Sequence, residues 1–192
     1  ANGGGGSGGG GGSGGKPVEP VPLDPTEFTY TLDESPSDLP LWTTPATRKV
    51  QRADRAPNAK HSGLKLSAAK NEFESAQLVI GPASGSVTVS IATFATLGSS
   101  QRVDLASVGY AGEWSETLAP LGSGGAVTLD GSAGAPVWLT VYVPEDAKAG
   151  DHTTSLTVTP AGGAAITVPV TLHVFDFLLP KAVHFASQLN LS

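Results

Sequence analysis

From residue 136 to residue 180 the chain alternates apolar and polar positions almost without a break, and the pattern predicts three consecutive β-strands joined by two turns. In the first, Val137, Leu139, Val141 and Val143 share one face, and Trp138, Thr140 and Tyr142 share the other. Side chains alternate along a strand, so this is a period-two pattern with an aliphatic core face. Pro144 ends the strand because proline cannot donate to a ladder. The polar run 145–151 turns the chain, with Gly150 free to take a positive φ. The second strand sends Leu156 and Val158 inward and Thr153, Ser155, Thr157 and Thr159 outward, and residues 160–163 (Pro-Ala-Gly-Gly) form the second turn. In the third, Ile166, Val168, Val170, Leu172 and Val174 face one way, and Thr167, Pro169, Thr171 and His173 the other. One-sided alternation of this kind suits an antiparallel sheet with one buried face. Pro169 predicts an edge strand, or an N–H position that points outward.

Upstream, Phe28, Tyr30 and Leu32 alternate as a short strand, and Leu41-Trp42-Thr43-Thr44 leads to another extended run at 47–51. Leu64, Leu66 and Ala68 predict a strand that turns at Lys70-Asn71 into a stronger one over 73–80, with Ala76, Leu78 and Ile80 on one face. Val87, Val89 and Ile91 alternate before Phe94, and further strands are expected at 103–110, 117–121 and 126–129. No segment sustains a 3.6-residue apolar period. Short strands at this spacing with Gly/Pro turns predict an all-β protein, an antiparallel β-sandwich that is Ig-like or jelly-roll-like.

Composition adds a tail and a boundary. Residues 1–15 are almost pure Gly and Ser, which cannot bury enough apolar surface to offset their ordering entropy, so residues 1–25 read as a disordered linker. An engineered linker would look the same. The Pro-rich continuation over residues 16–25 favours a natural spacer behind the cleaved signal of an exported protein or lipoprotein. The sandwich is expected over 26–180. After Pro180 the pattern changes, and 181–192 reads as the start of a following domain. With no Met in its 192 residues, the chain reads as a processed or excised piece of something longer. It has no Cys, hence no disulfide or thiolate metal site. A net charge of −6 argues against a nucleic-acid partner. No apolar run is long enough to predict a transmembrane segment.

Candidate chemistry is sparse. Glu72 and Glu74, two residues apart on one strand face, would lie about 6.6 Å apart, within the range of a glycosidase carboxylate pair. Yet Glu74 shares its parity with Ala76 and Leu78, and a carboxylate opening a strand more often satisfies loop N–H groups or pairs with a cation such as Lys70 or Arg48. His61, His152, His173 and His184 show no ligand spacing. Asp130 and Asp151 are scattered acids outside any Asp-x-Asp-x-Asp-Gly loop. No cofactor is expected. Seven of the eleven basic residues lie between Arg48 and Lys70, behind six acids from Glu19 to Asp38. They read as a solvated loop paired with those acids more readily than as a site for an acidic glycan or sulfate. Trp138 and Tyr142 lie about 13 Å apart on the outward face of one strand. Three roles are open to them: a stacking platform for sugar rings, a contact face for the following domain, or burial under a neighbouring strand or loop. Trp42 and Trp114 have an equal claim to the core.

Three segments together resemble the N-terminal β-sandwich domain of glycoside hydrolase family 123 and of related bacterial proteins with an uncharacterised glycosidase-like barrel. They are LWTTPATRKV at 41–50, LSAAKNEFESAQLVI at 66–80, and VWLTVYVP from 137 through Ala149-Gly150-Asp151, closing with VFDFLLP at 174–180. The second is the most specific, and within it Asn71, Glu72, Glu74 and Gln77 are motif positions expected to be structural. The resemblance implies that a (β/α)₈-type barrel follows and carries the chemistry, which in characterised members is that of a β-N-acetylgalactosaminidase using an Asp-Glu pair and the substrate's acetamido group. None of the matched positions belongs to that catalytic motif, so no catalytic residue is expected here. The chain is thus expected to be a non-catalytic module of an exported, extracellular or periplasmic carbohydrate-active protein, with the N-terminal linker as a surface tether. Its partner would be a downstream catalytic domain, with Trp138, Tyr142 and Trp42 as candidate contacts to that domain or to glycan. The alternative is a stand-alone glycan-binding or adhesion module.

Overall fold

A computed structural model of the chain describes residues 28–122 and 125–181. These form twelve strands and no helix. The strands are β1 (Tyr30–Leu32), β2 (Leu41–Pro45), β3 (Lys60–His61), β4 (Leu64–Lys70), β5 (Glu72–Ile80), β6 (Ser84–Ile91), β7 (Arg102–Ala111), β8 (Trp114–Pro120), β9 (Ala126–Asp130), β10 (Ala135–Val143), β11 (Gly150–Pro160) and β12 (Ile166–Leu178). A seven-stranded sheet runs β3-β1-β2-β5-β10-β7-β8, and a five-stranded sheet runs β4-β12-β11-β6-β9. Ten strand pairings hold the two sheets, and two of them are parallel, β1 with β3 and β4 with β12. The fold is thus a β-sandwich built from mixed sheets, where alternation alone predicts an antiparallel one.

The core is the one the period-two pattern picks out. Val137, Leu139, Val141 and Val143 of β10 meet Val168, Val170, Leu172 and Val174 of β12, and all eight are fully buried. Ala76, Leu78 and Ile80 extend the core on β5, and Leu156 and Val158 on β11. The three strands of the opening stretch divide between the layers. β10 is central in the larger sheet, paired with β5 and β7, whereas β11 and β12 pair with each other in the smaller one. The turn over 144–149 therefore crosses between layers. Pro169 does not mark an edge strand, since β12 is flanked by β11 and β4. It is tolerated because β4 begins pairing only at Leu64, opposite Val170, one residue further on.

Two expectations fail on the outer face of the larger sheet. Residues 47–51 form no strand; only a single bridge joins Gln51 to Trp114. The segment belongs to a loop that folds back over the sheet and buries Val50 against Trp42 and Val79, with Ala56 packed alongside. β1 does not alternate in burial either. Thr31 is buried beside Tyr30 and Leu32, and its hydroxyl donates to the Pro57 carbonyl at 2.6 Å. This second, small core is made of single residues brought in by a loop, so it leaves no periodic trace in the sequence. Of the tail and the following segment, residues 1–27 and 182–192 lie outside the described residues.

Candidate functional site

The densest set of polar contacts lies where β12 leaves the sandwich. The Lys70–Asn71 turn between β4 and β5 puts Asn71 at φ 61°, in the left-handed region. Asparagine enters that region more easily than other side chains because its short amide can bond locally. Three bonds converge on Asn71. Its backbone N–H donates to the Val143 carbonyl at 2.9 Å. Its Nδ2 donates to the Leu179 carbonyl at 2.9 Å. Its Oδ1 accepts the Tyr142 hydroxyl at 3.0 Å. Leu179 returns a bond from its own N–H to the Lys70 carbonyl at 3.0 Å. Glu72 completes the turn, its Oε2 accepting the Ala69 N–H at 2.6 Å.

Two ion pairs flank this exit. Lys70 Nζ lies 2.7 Å from Asp176 Oδ1, and the hydrogen bond and charge of Lys70 hold the Asp176 carboxyl below the usual carboxylate range. Lys181 pairs with Glu145 of the β10–β11 turn at 2.5 Å. Exposed pairs add little energy, so the amide bonds of Asn71 carry most of the hold. The β4–β5 turn thus holds the chain at Leu179, and Lys181 meets Glu145 of the β10–β11 turn.

Aromatic side chains surround the exit. Phe73 and Tyr142 pack with ring centroids 4.7 Å apart. On β12, His173, Phe175 and Phe177 form a ladder, with centroids 5.1 and 5.8 Å apart. Asp151 Oδ1 holds His173 Nδ1 at 2.6 Å.

The other candidate residues fall elsewhere. Trp42 is buried at 1% exposure beneath the 46–56 loop, with the Arg48 guanidinium 5.6 Å above its ring. Its Nε1 is the single buried side-chain polar atom without a partner among the described residues. Trp114, weighed equally with it, is exposed. Gln77, also at 1%, donates from Nε2 to the carbonyls of Pro45 at 3.0 Å and Arg48 at 2.7 Å, pinning the same loop to β5. Trp138 is half-buried between two shallow clefts, one of about 220 Å³ lined by Lys49, Gln77 and Leu118, the other of about 430 Å³ lined by Arg102, Asp104 and Thr140. Trp138 and Tyr142 do share one strand face. Tyr142, however, spends its ring on Phe73 and its hydroxyl on Asn71.

Glu74 and Glu72 do different work. Glu72 is committed to the turn, whereas Glu74 borders a cleft of about 410 Å³ between the sheets, lined by Phe28, Thr43, Thr47, Lys65 and Ser67 among others. Burial, and secondarily the charge of Glu72, raises the Glu74 carboxyl above its ordinary range. A pKa higher in the folded than in the unfolded chain means that folding is favoured at low pH, and that the benefit is lost as pH rises through the folded-state pKa. Glu74→Gln is therefore expected to raise Tm by about 1–3 °C at pH 7. The gain should vanish below the ordinary glutamate range. A melting series across pH checks this, and a pH-independent shift would show that charge is not the cause.

Four of the seven residues of the basic run are ion-paired, and among the described residues their partners are not the preceding acids. Arg48 meets Asp54, Lys49 meets Glu116, Arg52 meets Asp130 and Lys70 meets Asp176. The acids at 19–27 lie outside the described residues. Asp130 also closes its own turn, its Oδ1 accepting from Ser132 and Ala133, and these bonds lower its pKa. His152 is buried between Thr96 Oγ1 and the Lys148 carbonyl. No group of three potential metal ligands forms among the described residues, and no helix there is long and apolar enough to cross a membrane. Sequence reasoning missed the exit clamp because its partners lie more than seventy residues apart in sequence. The left-handed Asn in a Lys-Asn turn was the one available signal.

Over the described residues the fold is a β-sandwich whose final strand, β12, is held at its end by the contacts of Asn71. Its architecture is similar to part of a family 123 glycoside hydrolase from Clostridium perfringens whose structure details glycolipid glycan hydrolysis, with a TM-score of 0.53 and 16% identity. The match covers 74% of this chain and 28% of that one. Weaker similarities reach the N-terminal domain of PorA (TM-score 0.37, 13% identity, 66% of this chain and 97% of that one) and a Bacteroides ovatus GH5 xyloglucanase (TM-score 0.32, 12% identity, 58% and 17%). No protein-family model matches the sequence, and no curated protein matches it.

Proposed function

We propose that this chain is the non-catalytic N-terminal β-sandwich of an exported carbohydrate-active protein, and that it orients a glycosidase-like domain following residue 181. The observation that carries the reading is the clamp at Asn71. A sandwich that ended freely would have no need to tie its departing strand to two inter-strand turns, whereas one that sets the position of a neighbour does. The fold similarity to a stretch of a much longer family 123 hydrolase supports the same division of labour. The Gly/Ser and Pro-rich residues 1–25 would act as the tether that holds the assembly off a cell surface.

The test has two arms. The coding sequence beyond Ser192 is expected to continue into a barrel with paired acidic residues. The longer polypeptide, but not the 192-residue chain, is expected to hydrolyse an aryl N-acetylgalactosaminide. Hydrolysis by the 192-residue chain alone would overturn the non-catalytic assignment, and a reading frame that stops at Ser192 would end the scaffold reading.

A second reading, glycan contact on the sandwich itself, is favoured by the two clefts that meet at the Trp138 indole. On that reading Trp138→Ala abolishes binding on a glycan array while the melting temperature stays within about 2 °C. Unchanged array binding, or none by the parent, removes it.

A further inference from the structure

Exposed apolar side chains are concentrated at the exit. Among the described residues seven large hydrophobic side chains are exposed, and three of them, Phe175 (42%), Phe177 (55%) and Leu178 (52%), lie on the last four residues of β12. β12 itself outruns its neighbour here. Its pairing with β11 starts at Val174 opposite Gly150, and its pairing with β4 breaks between Val174 and Leu178. The Phe175–Phe177 stretch therefore bulges from β4, whose pairing resumes at Leu178 opposite Lys70, and runs past β11, carrying two large rings that the described residues leave exposed.

We infer that this aromatic shoulder is the seat on which the domain following residue 181 packs. The inference rests on the reading above that such a domain exists, and adds where it sits. Two observations select this occupant over a free glycan. First, Phe175 and Phe177 stack on each other at 5.8 Å and 17°, and His173 stands edge-on to Phe175. Phe175 is thus flanked by His173 on one side and Phe177 on the other, so the pair offers a single free face, on Phe177, and otherwise turns edges outward. A sugar ring stacks on an open face, whereas an apolar protein surface takes edges and faces alike. Second, the chain departs at Leu179, Pro180 and Lys181, directly off the shoulder, where Asn71 holds Leu179 and Lys181 meets Glu145. Whatever follows is tethered within a few residues of the patch, so its effective concentration there is high and a modest apolar contact suffices. Large exposed apolar patches on otherwise polar surfaces mark such contacts.

The experiment uses the longer polypeptide that carries this chain and its continuation. Calorimetric melting of the parent is expected to show one cooperative transition. Phe175→Ser with Phe177→Ser is expected to split it into two and to speed tryptic cleavage at Lys181 at least tenfold. Leu118→Ser, an equally exposed apolar position on the edge strand β8, is the control and should do neither. The same double substitution in the 192-residue chain should move its melting by no more than about 2 °C, since both rings are exposed there. A larger shift would show that the rings support the sandwich itself, and the inference fails. A parent that already melts in two steps, or a double variant that stays coupled, overturns the docking seat while leaving the orienting role standing. Concentration-dependent dimerisation of the 192-residue chain, abolished by the double substitution, would give the shoulder to a second copy and overturn it as well. A reading frame ending at Ser192 overturns both.

Discussion

Replacing Gln77 by leucine will destabilise the sandwich by about 2 kcal/mol, as measured by urea unfolding. The substitution is nearly isosteric, so it opens little cavity. It does remove both Nε2 donations, to Pro45 at 3.0 Å and Arg48 at 2.7 Å, at a side chain that is 1% exposed. The Pro45 carbonyl keeps the Arg48 N–H at 3.1 Å, so the Arg48 carbonyl is the acceptor that loses its partner, and an orphaned acceptor costs about 1–3 kcal/mol. The damage should also be local. The 46–56 loop covers Trp42 and Val79 through Val50, and its other ties to the sheet include the Val50 N–H to Ser115 Oγ, the Ser115 N–H to the Val50 carbonyl and the Arg52 N–H to the Glu113 carbonyl. Amide exchange at Val50 and Arg52 is therefore expected to accelerate more than at Leu139 in the central strand. A loss below about 1 kcal/mol, with protection of the loop intact, would mean that Gln77 is a filler and not a pin.

Asn71→Ala is expected to cost about 2–3 kcal/mol. It deletes the bonds to Leu179 and Tyr142, each worth about 1 kcal/mol net, and forces a Cβ-bearing residue without a local amide into φ 61°, at about 1 kcal/mol more. Asn71→Gly separates the two contributions. It frees the backbone but not the bonds, and should cost about 1 kcal/mol less than alanine. Tyr142→Phe removes one of the same bonds from the other side, so the Tyr142→Phe/Asn71→Ala pair should be less costly than the sum of its parts. Strict additivity would show that the hydroxyl and the amide are not partners. Glycine as harmful as alanine would show that the left-handed backbone stores no strain.

What the sequence made legible was whatever repeats. Val137 to Val143 and Ile166 to Val174 were readable as core-facing runs because alternation reports one-sided burial directly, and a central strand such as β10 keeps that pattern along its whole length. The parallel β4–β12 pairing was not readable, since alternation is the same whichever way a neighbour runs. The loop over Trp42 was hidden for a different reason. Val50, Trp42 and Val79 contribute one side chain each, from three separate segments. Asn71, Glu72 and Gln77 were singled out only as motif positions of the family resemblance, and their partners at Leu179, Ala69 and Arg48 are set by tertiary geometry. The aromatic ladder at Phe175 and Phe177 sat in plain view within VFDFLLP, and it is exposed because no strand among the described residues covers it.

The parallel pairing of β4 with β12 has a consequence for how the molecule is made. β4 ends at Lys70, and the strand that must lie beside it is completed only at Leu178, so the smaller sheet cannot close until nearly the whole domain has been synthesised. Loop closure over such a separation is slow compared with local hairpin formation. During vectorial synthesis β5 and β10 can pair while β4 still waits with an open edge. The strand that finally closes the sheet is the one carrying the exit, so the last step of folding is also the step that aims the chain. If a following domain docks on the shoulder as proposed, it would meet that surface only once the sandwich is finished, which puts the two events in a fixed order.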